Sequence, residues 1–248
     1  MIRRPLALLV VFALGLTGCA TTSDNNDPWE GYNRGMTSFN NGADKVLLRP
    51  LARGYRAVTP DLMERGVSNF FSNLGEPVNI LNNLLQGKPG AALSDTGRLL
   101  LNSTMGIGGL FDVASKSGMP RHNEDFGQTL AKWGVPSGPY FVLPFLGPST
   151  VRDAFGAPAD RAVNLIEHLD SASLEDKLTV LQIISLRASL LPLDAQINAS
   201  NDPYLFVREA YLQRRNYLVY DGNPPIDEEE FEFDEDFDED LDNFDEDL

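Results

Sequence analysis

The sequence predicts a mainly α-helical fold, and three observations carry that expectation. Apolar residues recur at helical spacing in successive segments between Asp27 and about Asn223, Gly and Pro punctuate those segments, and alternating strand patterns are scarce. Met63–Leu74 sets Val67, Phe70, Phe71 and Leu74 at helical spacing, with Asp61 as the N-cap. Pro77 is placed to open a second helix that carries Val78, Ile80, Leu81, Leu84 and Leu85 and is closed by Gly87. Pro89 opens a third, running through Leu93 and residues 99–101. Pro158–Leu169 is a further helix. Ser173 and Asp176 then form a weak capping-box variant ahead of Leu174–Leu191, and Pro192 ends that run. Pro203–Leu218 is the last.

Two stretches depart from this pattern. Gly138–Pro148 is apolar and aromatic, yet Gly and Pro interrupt it, and it is too short to span a bilayer as a helix. It reads either as a buried core turn or as a segment lying in a membrane interface. The run from Gly106 to Asp112 begins like a dinucleotide loop, but Phe111 stands where the third glycine is required and no strand precedes it, so a phosphate cradle is excluded. Its glycines suit close helix packing or a flexible joint. After the N-terminal segment no stretch reaches the roughly 18 continuous apolar residues of a spanning helix. The nearest, Leu178–Leu191, is broken by Gln182 and Arg187. Amphipathic helices lying in the membrane plane remain open, but a water-facing fold with an apolar core produces the same periodicity.

The N-terminus and the charge pattern set the compartment. Arg3 and Arg4 precede an apolar run from Leu6 to Leu16, and Thr17-Gly18-Cys19 follows. This has the anatomy of a secretory signal ending in a bacterial lipobox, with Cys19 as the lipidated first residue of the mature chain. Two or more acyl chains make a stable anchor where one does not. An Asp after the cysteine resembles an inner-membrane retention signal, so Ala20 favours the outer membrane. The expected organisation is a signal peptide over 1–18, a lipidated tether over 19–26, a helical domain over 27–223 and a disordered acidic tail over 224–248. Cys19 is the only cysteine, which leaves no disulfide within one chain. Of the 36 acidic residues, 15 lie in 227–248 without one Lys or Arg, leaving 21 acidic against 20 basic in the remainder. The body is nearly neutral and shows no basic face, which argues against nucleic acid as a partner. In the tail, like charges repel and six apolar residues cannot offset the entropy of ordering. It reads as a solubilising extension or as a flexible lure for a basic periplasmic partner.

Catalytic chemistry is sparse. His122 and His168 are the only histidines, and neither belongs to a metal-binding pattern. There is no G-x-S-x-G elbow, and the cysteine is expected to carry lipid. His122 stands near Glu124 and Asp125, so a hydrolytic dyad is conceivable, as is a plain loop histidine beside acidic residues.

Read as connected words, the body resembles one family closely. The words begin with Asp27-Pro28-Trp29-Glu30-Gly31-Tyr32-Asn33-Arg34, Phe39-Asn40 and Leu48-Arg49-Pro50. They continue with Asn69–Leu74, Glu76-Pro77, Leu85-Gln86-Gly87, Arg98 and Asn102. Glu124–Leu130, Trp133-Gly134-Val135, Gly138-Pro139-Tyr140, Leu143-Pro144 and Arg152-Asp153 follow, and Asp202-Pro203-Tyr204, Arg208–Tyr211 and Arg215 close the series. The chain is similar to the MlaA (VacJ) family of outer-membrane phospholipid-transport lipoproteins, from the lipobox to about Tyr220. The acidic tail lies outside the family pattern.

The resemblance implies a ring-shaped bundle of amphipathic helices in the inner leaflet of the outer membrane, facing the periplasm, with a central polar channel. It implies removal of mislocalised phospholipids from the outer leaflet and their delivery to a periplasmic lipid carrier, association with a trimeric porin, and neither enzymatic activity nor a cofactor. Against that frame, Asn40-Asn41-Gly42 is a turn signal and a candidate hinge at the channel mouth, or simply a surface turn. Phe70, Phe71, Phe141 and Phe145 are expected to face the membrane or to form the ring's wall. Gly106, Gly108 and Gly109 suit the channel lining, because broken backbone at membrane depth is tolerated only against protein or a wet cavity. Lys177 and Arg187 could attract phosphate headgroups, or could sit on a solvated helix face.

Overall fold

A computed structural model of the chain describes residues 27–225. The expected signal peptide over 1–18, the expected tether with Cys19, and all but residues 224 and 225 of the expected acidic tail lie outside the described residues. Within them the chain is mainly helical, as expected. The first helix, α1 (Glu30–Ala43), passes through a π-turn (Asp44–Leu48) into α2 (Arg49–Val58), where Pro50 occupies a first-turn position that needs no N–H. The turn expected at Asn40-Asn41-Gly42 is therefore absent: all three residues lie inside α1. An Asn makes a turn by bonding its own backbone. Asn40 instead donates to the Leu143 carbonyl at 2.9 Å and accepts from the Phe145 N–H at 2.8 Å.

The long helix α3 (Asp61–Leu85) corrects a second expectation, because Pro77 lies within it instead of opening a new helix. An internal proline costs about 3 kcal/mol. The helix bears it because α3 packs along α4 (Pro89–Thr104) more extensively than any other two elements pack. Asp61 is a first-turn residue and not the cap; the cap position is Pro60 in extended conformation. The closure at Gly87 is as expected. Gly87 has φ +75°, its N–H bonds Leu84 O at 3.0 Å, and the Lys88 N–H bonds Asn83 O at 2.8 Å. These two bonds form a Schellman motif. Pro89 opens α4, also as expected.

Two short capped helices follow. Asp112 caps α5 (Val113–Lys116) by accepting from the Ser115 N–H, and Asp125 caps α6 (Phe126–Lys132) by accepting from the Gln128 N–H. The apolar stretch from Gly138 forms the one sheet among the described residues, the hairpin β1 (Tyr140–Leu143) with β2 (Gly147–Thr150). Its register pairs Tyr140 with Thr150 and Leu143 with Gly147. Tyr140 and Val142 point inward into a small cluster with Tyr204, while Phe145 at the tip is 71% exposed.

The helix expected over 158–169 starts earlier and ends earlier. Thr150 caps α7 (Val151–Arg161) through its hydroxyl, so Pro158 falls inside, and a separate 3-10 turn covers Leu165–His168. The Ser173/Asp176 capping box does not form; α8 (Ala172–Leu190) starts from Ser171 without a side-chain cap. A 3-10 turn (Leu191–Leu193) then leads into α9 (Asp194–Ala199). Neither Gln182 nor Arg187 breaks this run. Within the 28 residues of Ala172–Ala199 the most apolar 18-residue window has mean hydropathy 1.3, enough by length and composition to cross a membrane, and 11% of that window is buried. Asp202 caps the final helix, α10 (Pro203–Val219), by accepting from the Tyr204 and Leu205 N–H groups.

Polarity is inverted relative to a water-facing fold. Among the described residues 18 polar or charged side chains are buried against 9 apolar ones, so the interior is held mainly by hydrogen bonds and ion pairs. Large apolar side chains lie outside instead, among them Leu62, Leu81, Leu84, Leu100, Val180 and Leu186. An exposed apolar surface of that extent with a buried polar core is the informative departure from the ordinary pattern.

Candidate functional site

The buried polar groups begin on α3. Asn73, Glu76, Asn82 and Asn83 are buried at helical spacing, as is Gln86 at the helix's C-cap, and Asn79 among them is half-buried. Glu76 and Arg98 of α4 meet at 3.1 Å with both side chains 2% exposed. Every nitrogen of Arg98 is engaged: Nε with Glu76, Nη1 with Ser115 Oγ and the Met119 carbonyl, Nη2 with Asp112. Asn83 donates to Asp95 at 2.8 Å, and the His122 ring nitrogen Nδ1 lies 2.6 Å from the same carboxylate. His122 thus pairs with Asp95 and not with Glu124 or Asp125. Glu124 instead accepts from Gln86 and Lys88. Asn82 reaches Asp160 at 2.9 Å and accepts from the Thr129 hydroxyl at 2.7 Å. Burial pushes the Glu76 and Asp160 carboxyls upward. Burial also opposes ionisation of Asp112, but hydrogen bonds from Ser115 and Asn102 and the charge of Arg98 outweigh it and hold the group down at about 2.

A second polar knot ties the start of the described chain to its end. Asp27 accepts from Asn33 at 2.7 Å and from the Tyr204 hydroxyl, and Arg208 lies 3.4 Å away. Asn33 completes the link to β1, donating to Tyr140 O and accepting from the Val142 N–H. On the outer side, the Arg34 guanidinium covers the Tyr204 ring at 4.5 Å and bonds Asp202.

Beside this knot lies a cavity of about 800 Å³, walled by α6, the loop 134–139, the first turn of α7 and the second half of α10. Arg215 and Arg152 line it. Arg215 binds Asp125 through Nη1 at 2.5 Å and Asp153 through Nη2 at 2.8 Å. Burial works against the Asp125 carboxylate, and Arg215 overcomes that and holds its pKa below the ordinary value. Arg152 is 8% exposed and donates from Nε to Asp153 at 3.1 Å. No sequence pattern singles this cavity out, since its walls come from residues 28, 131–140, 152 and 212–220.

The residues singled out from sequence fall in several places. Asn40 anchors the hairpin tip, where Phe39 also meets Phe145 edge-on at 5.1 Å; Asn41 and Gly42 are exposed on α1. The four phenylalanines split into two groups. Phe70 and Phe71 stack edge-on on α3, with Phe71 8% exposed, whereas Phe141 packs against Trp29 and Phe145 is open. Gly106, Gly108 and Gly109 build the turn after α4. A Cβ on Gly109, at φ +91°, would fall 2.6 Å from Asn73 Cβ, and one on Gly106 would fall 2.2 Å from Phe111 O; Gly108, at φ +66°, has open space. Close packing is thus the role the geometry gives to Gly106 and Gly109. Lys177 is exposed on α8. Arg187 is not a free charge for headgroups: it bonds Asp44 at 2.7 Å and Asp194 at 2.9 Å, joining α8 to the π-turn and to α9. Cys19 lies outside the described residues.

Comparison with known proteins places this geometry. The chain is 39% identical over 225 residues to the intermembrane phospholipid transport system lipoprotein MlaA of Escherichia coli (strain K12), covering 86% of this chain and 89% of that one. The protein of the same name from Haemophilus influenzae is 35% identical over 221 residues, covering 85% and 88%. A solved structure described as the structural basis for maintenance of bacterial outer membrane lipid asymmetry superposes with a TM-score of 0.69 at 39% identity. That match covers 78% of this chain and 98% of the other. Residues 25–218 match the description of the MlaA lipoproteins, and the chain belongs to that family.

Proposed function

We infer that the protein is an outer-membrane lipoprotein that removes mislocalised phospholipids from the outer leaflet and passes them to a periplasmic carrier, maintaining lipid asymmetry. The observation that carries this reading is the inverted polarity. A phospholipid in transit needs a polar route for its headgroup and apolar surroundings for its tails. The buried stripe of α3, where Glu76 and Asn83 lie, and Arg98 of α4 make the interior polar. The exposed faces around Leu81, Leu84 and Leu186 supply apolar exterior surface that an acyl layer can cover. The relatives' role in phospholipid transport supports the same reading.

In this reading Cys19 anchors the chain to the inner leaflet, the helices lie in its plane around a polar channel, and a trimeric porin flanks the ring. The test is gene deletion with measurement of outer-leaflet phospholipid by a membrane-impermeant amine label. Label incorporation is expected to rise on deletion and to return with the intact gene. Unchanged labelling would leave a structural envelope lipoprotein.

A further inference from the structure

The cavity beside α10 is lined by an arginine whose fork the protein leaves open. Arg98, buried more deeply at 2% exposure, has all its nitrogens bound to protein. Arg152 is 8% exposed, yet only its Nε has a partner among the described residues. Its two terminal nitrogens are not among the sealed, unpartnered atoms, and Arg152 is one of the residues that line the cavity. Next to it, Arg215 keeps a buried Nε with no partner, although its terminal nitrogens are bound. An arginine buried this deeply with its fork uncommitted is matched to a carboxylate- or phosphate-like anion, which takes two parallel N–H bonds. Ser137 and Asn216 add polar wall, while Val135 and Leu212 add an apolar one. A volume near 800 Å³ is in the range of small-ligand sites.

We propose that this cavity binds the phosphate ester of a glycerophospholipid, with Arg152 gripping the phosphate and the Val135–Leu212 side receiving the glycerol and first acyl carbons. The choice of a lipid phosphate among possible anions rests on the phospholipid-transport reading. The remaining charges around the site pair among themselves, Arg215 with Asp125 and Asp153, so the phosphate answers to Arg152 and not to a diffuse basic surface.

The experiment is titration of the purified full-length protein in detergent with three probes: dihexanoyl phosphatidylglycerol, dihexanoyl glycerol and inorganic phosphate. Binding is read by calorimetry. Arg152→Gln is expected to weaken the phospholipid at least tenfold and to leave the diacylglycerol unchanged. Arg214→Gln, an exposed neighbour on α10 outside the cavity wall, is expected to bind as the wild type does. Should Arg152→Gln fail to fold, Asn216→Trp, on an exposed position of the wall, blocks the cavity without touching the ion pairs and is expected to give the same loss. Phospholipid affinity unchanged in the folded variants overturns the assignment. Inorganic phosphate binding as tightly as the phospholipid overturns the lipid half of it. Neither result touches the deletion phenotype, so failure of this site and failure of the transport reading are distinguishable.

Discussion

Arg98 ties α4 to Glu76, Ser115, Met119 and Asp112 in the interior. It is 2% exposed and faces Glu76, which burial already disfavours as an anion. Replacing Arg98 with Met leaves that carboxylate without its counter-charge, and loss of one partner of a buried pair costs about 3–5 kcal/mol. Thermal unfolding in detergent is expected to show a large fall in midpoint for Arg98→Met, with partial recovery in the Glu76→Met double variant. Asp112, a second partner of Arg98, gives a pH signature. Its folded pKa is depressed from 3.8 to about 2, so its stabilisation is present above the unfolded value and is lost as pH falls through the folded one. The stability curve is expected to slope downward between about pH 4 and pH 2. Asp112→Asn is expected to flatten that slope and to cost about 2 kcal/mol at pH 7. A slope equal in variant and wild type would assign it to other carboxylates.

At the scale of elements, α3 makes the sharpest test, because its two faces have exchanged places. Leu84 is 55% exposed on the outer face, and Phe71 is 8% exposed within. Leu84→Asp is expected to shift stability in detergent by no more than about 0.5 kcal/mol, as surface substitutions do. The same change is expected to reduce retention of the protein in carbonate-washed membranes. Phe71→Asp is expected to lose the roughly 1.5–3 kcal/mol of a buried side chain and to bury a charge as well, so it should fail to accumulate. If Leu84→Asp unfolded the protein while membrane retention was normal, the outer face of α3 would be packed against protein. The hairpin offers a companion test: Phe141→Asp with Phe145→Asp is expected to lower membrane retention, with Phe145 contributing most because it is the open one.

At the scale of the whole molecule, Cys19 and the acidic residues 227–248 each have an expected role. Cys19→Ala is expected to remove the lipid and shift part of the protein to the soluble fraction, with the exposed apolar helices holding back the rest. Fractionation with mass spectrometry of the N-terminus reads both outcomes. Truncation after Pro225 removes 15 acidic side chains and no basic ones. Unfolding midpoints should be unchanged, and association with the proposed periplasmic carrier should slow at low salt only, because exposed charges are screened beyond about 8 Å at physiological ionic strength. Equal association rates with and without the tail would make it a passive extension.

The sequence by itself determined the helical class, the close of α3 at Gly87, the start of α4 at Pro89, the extent of α10 and the family. Each rests on local signals: a turn glycine, a first-turn proline, a period of 3.6. It marked Val78, Ile80, Leu81, Leu84 and Leu85 as one face of a helix. Periodicity reports that a helix has two faces and is silent on which of them is wet, so the inward turn of Glu76, Asn83 and Gln86 was decided only by tertiary structure. The prolines misled for a related reason: Pro77 and Pro158 each cost a local bond, and packing along the whole element outweighs that cost. Arg187 looked available because its partner Asp44 is 143 residues away. The cavity around Arg152 stayed invisible because its walls come from four separated stretches of chain. Only folding brings such groups within hydrogen-bonding reach, and a buried arginine's remaining N–H groups can be counted only after its neighbours are known.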